Sequence, residues 1–240
     1  LFSEIIAIWV VTFWKSIGSP KKFNLLELGA GNGEMMKVIW ATLENFPECF
    51  NSCSFSIHEK SDFLINKQKE NLKSEKISWV KDIKQVNSHP TIFLANEFFD
   101  ALPIKQFFKK KEDWIERFVD LKEENKAEFK EQLTDIKKIE QQLNFEISKN
   151  QNIIEYSPDT FKYLKNICSI VNKNDGGILI IDYGYLSSKM HETLQAVNNH
   201  KHSNVLEDIG DSDITYNINF NLLNKFIEQF SDLNSIVSNQ

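Results

Sequence analysis

Glycine is scarce in this chain, 8 in 240 residues, well below the usual ~7%. Those retained are therefore informative, and Gly29, Gly31 and Gly33 fall within five residues. Such clustering needs a backbone reason, either positive φ or close approach of a ligand. The three cysteines, Cys49, Cys53 and Cys168, form no CxxC pair and no disulfide framework, which favours a reducing compartment. Long apolar runs are missing. Ile5–Val11 is the longest near the start and falls far short of the ~18 residues a bilayer span needs. No basic residues precede it, so it is not a secretory signal. Positive charge is also in deficit. With 28 Lys+Arg against 34 Asp+Glu the net charge is −6, which argues against a broad nucleic-acid or membrane surface. No initiator methionine is present and Leu1 enters an apolar helix directly, so further residues are expected upstream. No His, Cys and Asp cluster has metal-ligand spacing, and no metal is expected.

What is present is 41% apolar residues, enough for a buried core without staples. Residues 1–17 have helical apolar spacing, stopped by Gly18-Ser-Pro. Strands are predicted at 23–28, 54–59, 77–80 and 91–95, and helices at 34–44 and 62–73. Alternating strands and helices imply βαβ units and a mostly parallel sheet. Residues 105–109 and 114–121 read as a hairpin joined by Lys110–Asp113. Residues 122–143 read as a solvated helix or mobile insert. A helix follows Pro158 over 159–171, a buried strand covers 178–182, and a strand and helix close the chain at 214–220 and 222–230. With no repeat and no Gly/Ser/Pro-rich linker, residues 1–240 are expected to be a single α/β domain, with 105–150 as a hairpin and charged helical insertion.

The strongest local signal is Leu25-Leu26-Glu27-Leu28-Gly29-Ala30-Gly31-Asn32-Gly33-Glu34. Here a strand feeds a glycine-rich turn that opens a helix, leaving N–H groups free for a ligand. The spacing is G-x-G-x-G, and the dinucleotide fingerprint G-x-G-x-x-G would need glycine where Glu34 stands. A carboxylate at Glu27 is ill-suited to a pyrophosphate and well suited to an ammonium group. S-adenosylmethionine carries one, together with ribose hydroxyls that want a carboxylate at the end of the next strand. Glu59 stands there. Asp82, after the third strand, is placed to reach the adenine amino group.

The stretch Asn96-Glu97-Phe98-Phe99-Asp100-Ala101-Leu102-Pro103 resembles the family of S-adenosylmethionine-dependent methyltransferases that includes the mitochondrial complex I assembly methyltransferase. Phe2–Trp9, Glu155-Tyr156-Ser157-Pro158, Gly177–Tyr185, Thr193–Val197 with His200, and Asp213-Ile214-Thr215 resemble further family segments. The resemblance covers nearly all the chain except about 122–150. It implies a Rossmann-like methyltransferase fold with helices on both faces of the sheet. It adds Asn96 to the cofactor residues Glu27, Gly29, Gly31, Gly33, Glu59 and Asp82. It also implies methylation of a protein arginine on a respiratory complex I subunit, in a bacterial cytoplasm or a mitochondrial matrix. The Lys/Asn/Ile bias leans towards the former. Two positions depart from the family: Asn204-Val205-Leu206 stands for Asp-Pro-Leu, and Asn217-Ile218-Asn219-Phe220 for His-Val-Asp-Phe. A family segment upstream also lies outside this sequence.

Guanidinium is always charged and presents a rigid fork of donors, so its site needs carboxylates. Glu97, Asp100 and Asp182 lie at or just after strand ends, where open α/β sheets bind ligands. They are the candidate catalytic acids. His200 and Tyr183 are further site-lining candidates, and His58 reads as packing. A small-molecule methyltransferase, or a non-catalytic assembly chaperone of the same fold, remains an alternative to the arginine reading.

Overall fold

The computed structural model describes residues 1–73, 76–122, 126–198, 201–207 and 210–239. The chain begins with α1 (Phe2–Ser16), β1 (Phe23–Leu28), α2 (Glu34–Leu43), α3 (Pro47–Ser52), β2 (Cys53–His58), α4 (Asp62–Leu72), β3 (Ile77–Val80) and β4 (Thr91–Asn96). It continues through β5 (Lys105–Lys110), β6 (Asp113–Leu121), β7 (Ala127–Thr134), α5 (Ile136–Leu143), β8 (Ile153–Tyr156) and α6 (Pro158–Asn174). The remainder is β9 (Gly176–Ile181), β10 (Gly184–Tyr185), β11 (Gln195–Asn198), β12 (Lys201–Ser203), β13 (Asp213–Thr215), β14 (Ile218–Asn219) and α7 (Phe220–Ile227). Two units divide these elements, Leu1–Phe98 with Lys165–Ile181, and Phe99–Leu164 with Asp182–Gln240.

The first unit is built on a five-stranded sheet of order β3-β2-β1-β4-β9, every adjacent pair parallel. This is the α/β class the alternating pattern predicts. Every residue of β1 is buried, as expected of a central parallel strand covered on both faces. Val10, Trp14, Phe23, Met36, Ile39 and Ile57 belong to one core cluster. It joins α1 and α2 to the sheet. Trp40 packs its ring 4.5 Å from that of Phe55 and 4.9 Å from that of Phe50. Phe50 lies on α3, a short helix the sequence pattern did not resolve. Pro47 does not simply close the preceding helix; it sits in the first turn of α3, where its missing N–H costs nothing.

The second unit contains an antiparallel sheet of order β7-β6-β5-β8. The predicted hairpin forms, but Lys110 pairs with Asp113, so the connection is the two-residue turn Lys111-Glu112 rather than four residues. The expected solvated helix over 122–143 is corrected. Ala127–Thr134 is a strand paired with β6, and only Ile136–Leu143 is helical. Charge alone favoured a solvated helix. The cross-strand partners decide otherwise: Phe129 lies opposite Val119 and Leu133 opposite Ile115. Ion pairs of Lys130 with Asp120 and of Lys110 with Glu131 add to the ladder. Residues 123–125 lie outside the described residues. Strand β8 was also missed; it pairs antiparallel with β5, Phe107 opposite Ile154. Phe161 anchors this unit's aromatic core, with ring centroids 5.0 Å from Phe226 and 5.9 Å from Tyr156. Among the described residues no helix is long and apolar enough to cross a membrane.

Gly176 opens β9 at φ +122°, and a Cβ there would lie 2.0 Å from the Thr91 carbonyl oxygen. That atom is backbone in the neighbouring strand and cannot swing away. Gly176→Ala is expected to destabilise the protein by about 3 kcal/mol or more. A fall in Tm of roughly 6–12 °C in thermal denaturation would report it.

Candidate functional site

The glycine-rich turn lies directly beyond β1. Gly29, Gly31 and Gly33 have φ of 65°, 53° and 84°, the left-handed region in which side chains are strained. The Gly29 N–H donates to the His58 carbonyl at 3.0 Å, tying the turn to the end of β2. The three glycines serve different ends. A Cβ on Gly29 would come within 2.6 Å of the Phe98 ring, so that glycine is required by packing. A Cβ on Gly31 would meet no atom within 4 Å, so the turn is open there. Gly33 is the N-cap of α2.

Below the turn, Glu27 is buried in the apolar strand between Ile57 and Leu94 on its neighbours. Its Oε2 has no hydrogen-bond partner among the described residues. Burial pushes the carboxyl up from its ordinary 4.5 to about 8. A proton is thus held in the folded state at pH values where the unfolded chain has released it. Stability contributed by this group is full at acid pH and is lost as pH rises from about 4.5 to 8. A buried carboxyl with one orphaned oxygen, two residues before the glycine turn, fits a ligand with a cationic end.

Glu59 follows β2, as predicted. Its Oε1 accepts from the Lys60 and Ser61 N–H groups at 2.8 and 2.9 Å. Its Oε2 accepts from Gln68 Nε2 at 3.4 Å. Gln68, fully buried on α4, escaped the sequence reading. The same Nε2 donates to the Gly31 carbonyl at 2.9 Å, and Trp79 Nε1 donates to Gln68 Oε1 at 2.8 Å. The available signal was position: Ile65, Gln68 and Leu72 share a face of a polar helix, so an amide sits where an apolar residue belongs. Asp82 is exposed and caps the short turn Ile83–Gln85, accepting from the Lys84 N–H at 2.9 Å. Asn96 ends β4, half-buried, opposite Ile181. The next residue, Glu97, is exposed at φ +46°, with its N–H donated to the Ile181 carbonyl at 2.9 Å. Backbone strain in a non-glycine residue of this kind gathers at functional sites.

In the second unit Asp100 and Asp182 come together. Asp182 Oδ2 accepts from the N–H groups of Phe99 and Asp100 at 3.0 and 3.3 Å, and Oδ1 accepts from its neighbour Tyr183 at 2.9 Å. Asp182 thereby holds the Phe99-Asp100 segment in place. Burial, and secondarily the charge of Asp100, raise its carboxyl from 3.8 to about 7, against the lowering effect of those three N–H groups. Tyr216 lies close by. Its N–H donates to the Asp100 carbonyl at 3.4 Å, its hydroxyl is 3.4 Å from that of Thr160, and burial pushes its pKa well up. Glu155, left without a role by the sequence reading, is buried and accepts from Gln106 Nε2 at 2.6 Å and from the Thr193 N–H and hydroxyl. Ser157 caps α6 through the Thr160 N–H at 3.2 Å.

Among the remaining candidates, Tyr183 is 64% exposed and His200 lies outside the described residues. His58 is buried, its Nδ1 is 3.0 Å from the Val80 carbonyl, and burial lowers its pKa. A cavity of about 290 Å³ in the second unit, flanked by Lys149, Lys189 and Lys225, holds none of the predicted site residues. Among the described residues no group of three or more His, Cys, Asp and Glu could hold a metal ion.

Two substitutions test the turn and the orphaned acid. Gly31→Val should abolish binding of S-adenosylhomocysteine in calorimetry while the far-UV spectrum stays native, since its side chain would fill the open face of the turn. Glu27→Gln should melt close to the wild type near pH 5 and above it near pH 8. The gap should open to a few kcal/mol, roughly 5–10 °C. Parallel melting curves at both pH values would contradict the burial of an ionisable Glu27.

Comparison with known proteins supplies a family. Residues 5–238 match the profile of a family described as "Putative S-adenosyl-L-methionine-dependent methyltransferase". The mitochondrial protein arginine methyltransferase NDUFAF7 of Xenopus laevis is 26% identical over 265 residues, covering 95% of this chain and 57% of that protein. Its Homo sapiens counterpart is 25% identical over 252 residues, with the same coverage. The chain thus spans somewhat over half the length of these relatives. A solved COG1565 superfamily member from Burkholderia thailandensis, bound to S-adenosyl-homocysteine, superposes with a TM-score of 0.75 at 18% identity, covering 95% of this chain and 60% of its own. A second COG1565 structure from that organism gives 0.74. These likenesses establish the fold.

Proposed function

The chain belongs to this S-adenosyl-L-methionine-dependent methyltransferase family, and from that premise we propose that it methylates arginine side chains of a protein. On this reading residues 1–240 form one methyltransferase domain, since the family match runs through both units. Glu27 takes the donor's ammonium group, Gly29, Gly31 and Gly33 shape the turn around it, and Glu59 takes the ribose hydroxyls. Asn96 and Asp82 border the same ligand, Asp82 while keeping its capping bonds. When bound, the donor supplies a methyl group on a sulfonium, with a neutral thioether to leave. Most of the rate then comes from holding nucleophile and methyl aligned.

The observation that carries the arginine reading is the Asp100–Asp182 pair. Two neighbouring carboxyls suit a planar cation, and one poised near neutral pH can accept the proton that methylation of a guanidinium releases. We assign Asp182 and Asp100 to that task and Glu97 to guanidinium hydrogen bonding. The names of the relatives support a protein arginine as acceptor. A respiratory complex I subunit is the substrate implied by the resemblance, and a mitochondrial matrix or a bacterial cytoplasm is the corresponding compartment.

Tritiated-methyl transfer to peptides carrying arginine or, at the same position, lysine tests the reading. Label on the arginine peptide alone supports it, and transfer to neither or to lysine contradicts it. The rate should rise with pH to a plateau with an apparent pKa of about 7, because Asp182 accepts protons only when ionised. Asp182→Asn should lower kcat by ~10²-fold or more and remove that dependence. Glu97→Gln should cost a similar factor in kcat while leaving S-adenosylhomocysteine affinity nearly unchanged. Equal loss of both would move Glu97 to the donor site.

A further inference from the structure

We propose that Gln68 is the positioning residue of the donor site, setting the carboxylate of Glu59 for the ribose and tying it to the glycine turn. The inference rests on the donor-binding reading and assigns a role to a residue that the motif does not contain. Its three bonds fix the amide's chemistry. Trp79 Nε1 can only donate, so the oxygen of Gln68 faces it. The Gly31 carbonyl and the Glu59 carboxylate can only accept, so the nitrogen faces both. A side chain that accepts at one atom and donates twice at another, on a stem of this length, is glutamine. Glutamate would repel Glu59, and a hydrophobe of similar size would satisfy none of the three.

The consequence reaches Glu59. Its Oε1 already accepts two backbone N–H groups, which fixes one end of the carboxylate. Gln68 restrains the other end through a longer contact of 3.4 Å. With three of the carboxylate's roughly four lone-pair sites so occupied, one on Oε2 is left for a ribose hydroxyl. Because the same nitrogen holds the Gly31 carbonyl, the ribose acid and the glycine turn move as one piece. Removing the amide at Gln68 should therefore erase recognition of the ribose more than it weakens overall packing, since the hydrogen bonds it supplies go to the Gly31 carbonyl and to Glu59.

The test compares two ligands on the same protein. Calorimetry with S-adenosylhomocysteine and with its 2′,3′-dideoxyribose analogue gives a discrimination ratio, and a general loss of fold lowers both affinities and cancels. The wild type should prefer the hydroxylated ligand by roughly tenfold or more, the scale of hydrogen bonds to a charged acceptor. In Gln68→Met the ratio should fall to within about twofold of one, and Glu59→Gln added on top should lower it no further. Trp79→Phe, which keeps the ring and removes only the N–H, should reduce the ratio by a smaller factor and guards against a variant that fails to fold. A ratio kept in Gln68→Met and in Trp79→Phe overturns the inference while leaving donor binding intact. A wild type that binds S-adenosylhomocysteine without discriminating overturns it as well. A wild type that binds neither ligand overturns the donor-binding reading, and this inference with it.

Discussion

The parallel pairing of β1 with a strand on each side is the constraint on which the donor site depends. Register places Leu28 beside His58 on one flank and beside Ala95 on the other. The loops that begin at Gly29, Glu59 and Glu97 therefore leave the sheet at one edge. The order β3-β2-β1-β4-β9 reverses direction at β1, because the chain runs outward through β2 and β3 and returns to the other side as β4. Open α/β sheets bind ligands at such a switch point. A one-residue slip of β1 would turn Glu27 to the opposite face and separate it from the turn above.

Local strain and desolvation gather at the proposed site. Glu27 buries a carboxyl with an orphaned oxygen in β1, a strand buried along its whole length. Glu97 holds a left-handed backbone that a glycine would adopt freely. Asp182 keeps a proton to near neutrality although three N–H groups favour its charged form. Asp182 also fixes the Phe99-Asp100 backbone, and strained or desolvated groups of this kind gather at functional sites. Gln68 and Glu155 are the contrasting case, buried polar groups with their partners in place, which rigidify rather than strain.

The sheet and the glycine turn were legible because apolar runs and positive-φ glycines are local signals. Phe23–Leu28, Ile77–Val80 and the helix opening at Glu34 need no distant partner to be recognised. Strand β7 was not legible, because its residues make a strand only beside β6, and charge density pointed the other way. Strand β8 is only four residues long, too short for its alternation to stand out beside the helix that opens at Pro158. The position of Glu59 directly after β2 followed from strand spacing. Gln68 is defined by three partners scattered over 48 residues, from Gly31 to Trp79, and a single sequence carries little trace of that. Asp82 shows how one acid at a strand end carries two readings, since the position proposed for the ligand also caps the turn that follows it.

The central claim is that the turn between β1 and α2 is built for a donor with an ammonium group rather than for a dinucleotide. Isothermal titration calorimetry of the wild-type chain with S-adenosylhomocysteine and, separately, with NAD tests it most directly. The account predicts one saturable site for S-adenosylhomocysteine and no heat of binding for NAD. Saturable binding of NAD, or the absence of any S-adenosylhomocysteine site, would contradict it.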